Sequence, residues 1–196
     1  MKKIKDLKLY KSCLIIVDMV NGFVREGCLH DSNIAHIIPR QIELIKESIN
    51  RENLIIFIKD THTKESAEHK RFNDNHCLKG TEESEIVEEL QVFLEENNVI
   101  SIEKNSTSFM EAPDFRKLIE EAENLQHFEI CGCCTDICIT NGAIGLSNYL
   151  DQWNRIYDIY IHEDATETFG KDVREEYVKA AKILMRQQGI NIGKKK

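Results

Sequence analysis

Residues 12–17 read SCLIIV, an uninterrupted apolar run of strand length. A strand with water on one face alternates apolar and polar residues; an unbroken run is covered on both faces, as in a parallel sheet. Residues 54–59, LIIFIK, repeat the signal. Fainter copies stand at 98–103 (NVISIE), 127–133 (HFEICGC) and 155–161 (RIYDIYI). Helical spacing fills the gaps. Ile34, Ile37, Ile38, Ile42, Ile45 and Ile49 recur at three- and four-residue steps across 34–49. Ile86, Leu90, Phe93 and Leu94 do so after a cap at Thr81, and Phe115, Leu118, Ile119 and Ala122 do so after the helix start Pro113-Asp114. Two more helices are expected over 136–150 and 172–187, and a short last strand near 190–192. The β-α alternation predicts a three-layer α/β/α sandwich with a mostly parallel central sheet, Rossmann-like in outline.

The 196 residues suit a single domain spanning 1–196. The formal net charge is -8 and no basic stripe stands out, which excludes the electrostatic footprint of a nucleic-acid binder. The closing Lys194-Lys195-Lys196 reads as a solvated tail. CLIIV is too short to cross a membrane, and the basic start MKKIKDLKLYKS is not followed by a signal-peptide core, so a cytoplasmic chain without membrane partners is expected. Seven cysteines in such a chain are expected to be mostly reduced thiols in the core.

Ligands of open parallel sheets bind beyond the carboxyl ends of the strands. The expected strands end on Asp18, on Asp60 with His62 close behind, on Lys104, and on the cysteine cluster ICGCCTDICIT at 130–140. Within that cluster Thr135-Asp136 opens a helix, which puts Cys138 in its first turn, where free N–H groups and the helix dipole favour a thiolate. Cys131 and Cys133 lie on the incoming strand as small apolar fillers, and Cys134 lies at the turn. Two competing readings are a zinc site on Cys131, Cys134 and Cys138 and a redox pair of Cys131 with Cys134. A cysteine nucleophile needs a base and a cation, and Asp18 and Lys104 supply both types at neighbouring strand ends. The stretch DTHTKESAEHKRFNDNH, 60–76, adds Asp60, His62, His69 and His76, an oxygen and nitrogen ligand set suited to zinc, iron or manganese.

Taken in order, LIIVDMVNGF (14–23), KDTH (59–62) with HCLKGT (76–81), EKNSTSF (103–109) and CGCCTDICI (131–139) resemble the nicotinamidase branch of the isochorismatase-like cysteine hydrolases. The resemblance runs from about residue 12 to residue 170. It implies a catalytic set of Asp18, Lys104 and Cys138, and a cis peptide joining Cys133 to Cys134. It also implies an oxyanion hole from the N–H groups of Cys134 and Cys138. It further implies a divalent metal, zinc first, on Asp60, His62, His76 and a fourth ligand. That fourth ligand is assigned to His69, with Glu68 and Glu65 as alternatives. Phe23, Phe72, Phe109 and Cys133 correspond to positions around the substrate, a small amide, and a homo-oligomer is implied by analogy. Val20 and Gly22 stand where that branch commonly shows Gln and a second Asp, and Phe72 is one position off its usual aromatic.

Overall fold

The computed structural model describes residues 6–72, 75–170, 172 and 174–194; the chain start before Asp6, Val173 of the expected last helix, and Lys195-Lys196 of the tail lie outside them. Six strands form one sheet: β1 Ser12–Val17, β2 Leu54–Asp60, β3 Val99–Lys104, β4 His127–Cys133, β5 Asp158–Glu167 and β6 Asn191–Gly193. Every pairing is parallel, in the order β3-β2-β1-β4-β5-β6. The helices are α1 Asn21–Val24, α2 Ile38–Asn50, α3 His69–Phe72, α4 Glu88–Gln91, α5 Pro113–Glu121, α6 Thr140–Gln152 and α7 Arg174–Gln187.

The apolar runs behave as their composition requires. Cys13, Ile15 and Val17 of β1 join Ile56 and Ile58 of β2 in a core beneath α5, α6 and α7. Leu14, Ile16, Ile55 and Phe57 point the other way, into a core shared with Leu44 and Ile45 of α2. The central strands β1 and β2 thus bury both of their period-two faces, which is the three-layer sandwich expected from the sequence.

Three elements differ from the sequence reading. The helix expected across 81–94 is broken into a 3-10 turn, Glu82–Ser84, and the short α4. The intervening backbone is spent elsewhere: Asn21 N–H donates to Glu85 O at 2.9 Å and Val87 N–H to Met19 O at 3.0 Å, in an antiparallel bridge of Val20 with Ile86. The helix expected from Ile34 begins as a 3-10 stretch, Ser32–Ile37, and turns α-helical at Ile38. Pro39 at the α-helical start has no N–H to give a preceding turn. Strand β5 starts at Asp158 because Arg155 is used as a clamp, its guanidinium donating to Ile119 O, Ala122 O, Glu123 O and Leu125 O at 2.8–3.0 Å. The strand then runs on through the polar stretch to Glu167, past a register shift between Ile130 and Gly132 of β4.

The strand order reverses between β1 and β4, which opens the crevice where such sheets bind ligands. There Val17 pairs with Gly132, whose φ is +120 and whose missing Cβ would overlap the Val17 backbone. Only glycine satisfies both demands. Gly132→Ala is expected to cost about 3 kcal/mol or more, read as a lowered midpoint in thermal or urea unfolding. A variant as stable as the wild type would show that the two strands can separate there without penalty.

Candidate active site

Asp18 is the residue where β1 stops. Its φ is +52, an uncommon but accessible conformation for aspartate, and both backbone groups are anchored. The Asp18 N–H donates to Ile58 O of β2 at 2.9 Å, and the Cys133 thiol of β4 donates to Asp18 O at 3.1 Å. Its carboxylate lies beside Lys104, with Nζ 2.9 Å from Oδ2. The contact falls outside strict hydrogen-bond geometry, but the Lys104 ammonium and the Cys138 thiol both lie close enough to the Asp18 carboxylate to favour its anion. Lys104 donates to Asp60 Oδ1 at 2.5 Å. Asp60 and Lys104 are register partners on β2 and β3, which is why the two side chains meet. All three residues are buried.

Burial acts differently on each group. It pushes the Asp18 carboxyl up to about 7, with the Lys104 ammonium pulling against it and Asp60 adding to it. For Lys104 burial favours loss of the proton, but the carboxylates of Asp18 and Asp60 outweigh it and hold the ammonium well above its ordinary value. Burial also opposes ionisation of Asp60, yet Lys104 and hydrogen bonds from His62 and His76 keep its carboxyl far below the usual range.

Beta-strand β4 leads through Cys134 into one wide π-helical turn, Thr135–Ile139, which continues as α6. The Cys133–Cys134 peptide is cis, as the resemblance implied. Cys138 lies in the wide turn, 6% exposed, close enough to Asp18 and Lys104 to share their electrostatics. Burial pushes its thiol well above the ordinary value, Lys104 lowers it, and Asp18 and Asp60 raise it further. Burial therefore works against the thiolate that the helix start and Lys104 favour.

Beside these three lies an imidazole cluster. Ligand atoms of His62, His69 and His76 all fall within 4.8 Å of one another. His62 Nε2 is 2.8 Å and His76 Nε2 3.5 Å from Asp60 Oδ2. His62 Nδ1 sits 2.6 Å from the Asn105 side-chain oxygen, which also accepts from Ser66 Oγ at 2.6 Å. His62 Nε2 donates to Asp60 Oδ2, and a bound cation would take that proton's place between the imidazole and the carboxylate. Both ring nitrogens of His69 are buried without a hydrogen-bond partner. The donor set therefore fits a divalent metal. Among the described residues this is the one cluster with metal-ligand geometry, and no cysteine belongs to it. None of the seven cysteines is in a disulfide, and six are buried.

An apolar pocket opens onto Cys138 and Cys134, lined by Phe23, Leu29, Glu68, Phe72, His76, Ile137 and Phe169. Phe23 and Phe72, which the resemblance implies to flank a substrate, both line this pocket. Phe109 does not: it is fully buried, 4.9 Å from the Phe115 ring, and fills the space that a Cβ on Gly142 would need. Cys133 is also absent from the lining, since its thiol is turned onto Asp18 O. Glu65 is not part of the imidazole cluster. Sequence reasoning missed Asn105, although it directly follows Lys104 at a strand end, and it missed Leu29, Ile137 and Phe169. Leu29 and Phe169 come from connecting segments with no periodic signal. A Cβ at Gly22 would lie 2.6 Å from Cys77 Sγ, which gives the departure at that position a steric reason. A wider cleft beside α7, lined by Glu163, Arg174 and Lys182 among others, touches none of Asp18, Lys104 and Cys138, and its Lys182 is paired with Glu163.

An isochorismatase family protein of Bacillus subtilis, PncA, is 28% identical over 170 residues, covering 83% of this chain and 89% of that protein. Nicotinamidase 1 of Arabidopsis thaliana is 27% identical over 139 residues, 64% of this chain and 56% of its own. The crystal structure of a Pyrococcus horikoshii pyrazinamidase in complex with zinc superposes with a TM-score of 0.76 at 24% identity, covering 94% of this chain and 99% of that one. The isochorismatase domain profile matches residues 12–192, nearly the whole sequence. The chain belongs to the isochorismatase domain family.

Proposed function

We propose that the chain is a cysteine-dependent amidohydrolase that converts a small aromatic amide, nicotinamide foremost, to its acid and ammonia, the step that returns nicotinate to NAD salvage. The observation that carries this reading is the meeting of a buried thiol, a carboxylate of raised pKa and a locked ammonium at one rim of the sheet. The similarity to proteins named nicotinamidase and pyrazinamidase supports the substrate class.

The Asp18 carboxylate takes the proton of the Cys138 thiol as sulfur attacks the amide carbon. A pKa near 7 suits a group that must accept a proton and then give it back near neutrality. Lys104 keeps its charge throughout, holding Asp18 in place and balancing the negative charge that forms beside it. The N–H groups of Cys134 and Cys138 are assigned to the oxyanion; removal of one such donor typically costs about a hundred- to thousandfold in rate. Asp18 then protonates the departing nitrogen, ammonia leaves, and a thioester remains on Cys138. With Asp18 again as base, water adds to the thioester, the acid leaves and the thiol is restored. Asp60, His62, His69 and His76 would hold a divalent cation, zinc in the first instance and iron or manganese as alternatives. Such an ion supplies a Lewis-acid anchor for a ring nitrogen of the substrate.

The burial of Cys138, 6% exposed, argues against an oxidant sensor, whose cysteine must be reachable from solvent. A vinyl-ether hydrolase needs neither the thiol nor the imidazole cluster.

Cys138→Ala is expected to lower ammonia release from nicotinamide by about a thousandfold or more with circular dichroism and Tm unchanged. Turnover like that of the wild type would remove the nucleophile from the scheme. Because Asp18 must be ionised to act, kcat/KM is expected to climb with pH and level off above about 7; a flat profile from pH 5 to 8 would speak against Asp18 as base. His69→Ala is expected to reduce metal per chain in elemental analysis and to raise KM more than it lowers kcat. Full metal content in that variant would exclude His69 as a ligand.

A further inference from the structure

The pocket over Cys138 is nearly shut. Its volume is about 20 Å³, against about 750 Å³ for the cleft beside α7. Pockets that take small organic molecules measure about 300–1,000 Å³, so a wall must move before a ring can reach the sulfur. Two of the walls, Leu29 and Phe169, are half-buried side chains on connecting segments. Those segments are tied to each other at Asp31. Its Oδ2 accepts from the Gly170 N–H at 2.6 Å and its Oδ1 from the Asn33 N–H at 2.9 Å, while its own N–H donates to Phe23 O at 2.9 Å. The Gly170 N–H is the largest influence on the Asp31 carboxyl and holds it below its ordinary value. On the other side of Phe169, Thr168 donates through its hydroxyl to Asp136, in the turn that carries Cys138. The Phe169 ring between these two anchors meets Phe23 edge-on, 5.9 Å away.

We propose that Asp31 is a positioning residue that latches the mouth of the pocket: its carboxylate pins Gly170, which seats Phe169 beside Leu29 over Cys138, and a ring-sized amide enters while that hydrogen bond is broken. This rests on the amidohydrolase reading for what enters, and adds how entry is controlled. Opening at this point breaks one hydrogen bond where water can serve both partners, whereas Phe23, His76 and Cys134 are buried. Serine at position 31 offers one oxygen where aspartate offers two. It keeps an acceptor for the Asn33 N–H at the start of the 3-10 stretch and gives up the one for Gly170.

The test is alkylation of the full chain by iodoacetamide, with zinc supplied, followed cysteine by cysteine by peptide mass spectrometry. The wild type, Asp31→Ser, Phe169→Ala and the double variant are compared. We expect Cys138 to react about ten- to hundredfold faster in Asp31→Ser and in Phe169→Ala, with Cys13 and Cys131 of the core still protected. Adding Asp31→Ser to Phe169→Ala should change the rate little, because the carboxylate acts through that ring. Equal Cys138 rates in the wild type and Asp31→Ser, or a full further acceleration in the double variant, would overturn the proposal. Labelling of Cys13 and Cys131 in step with Cys138 would also overturn it, since the substitution would then loosen the whole fold. Labelling needs no turnover: if the wild type hydrolyses no amide, the enzymatic reading fails, while the Cys138 rates still judge the latch.

Discussion

A lysine ammonium with no access to water holds the active-site rim of this protein together. Lys104, at the end of β3, lies between Asp18 of β1 and Asp60 of β2, and all three are buried. A lone ammonium in such a place would shed its proton, and a lone carboxylate would take one up. Together they remain charged, at a desolvation cost that burial elsewhere in the sheet must offset. The cation thereby fixes the relative position of three strand ends and orients two carboxylates in opposite directions, one toward the thiol and one toward the imidazoles.

Those two carboxylates show how environment divides labour between like groups. Asp60 is hydrogen-bonded by Lys104 and by His62 and is held anionic. Asp18 is held less tightly by Lys104, faces the Cys138 thiol, and is shifted upward by burial. One is therefore a permanent anion suited to hold a cation, and the other is an acceptor suited to exchange a proton. Beside them lies the buried Cys138 thiol, whose ionisation burial opposes and whose nearest carboxylate is Asp18.

Much of this was legible in the sequence because it follows from strand ends. Continuous apolar runs gave the sheet, and the residue after each run gave Asp18, Asp60, Lys104 and the cysteine turn. His62, His69 and His76 were legible as a ligand-type cluster within one loop. What was not legible depends on contacts between distant segments. The spacing of Ile86, Leu90 and Phe93 is helical, but a backbone bridge to Val20 breaks that helix. Phe109 sits in a quoted motif as though it faced the substrate, yet the absence of a side chain on Gly142 draws it into the core. Phe169 and Leu29 reach the pocket from irregular segments, and no local pattern announces a residue whose role is set by where a connecting segment comes to rest.

The contact between Gly22 and Cys77 has a consequence for how this site can diverge. The cysteine sulfur occupies the volume that any larger residue at position 22 would claim, and Cys77 follows His76 directly in the chain. Exchange at one position is therefore coupled to the other: a larger residue at 22 requires the sulfur to move or be replaced, and Glu83 to give as well. Drift in this part of the molecule is constrained to proceed by linked steps, and transplanting a motif from a relative one residue at a time would stall at the intermediate.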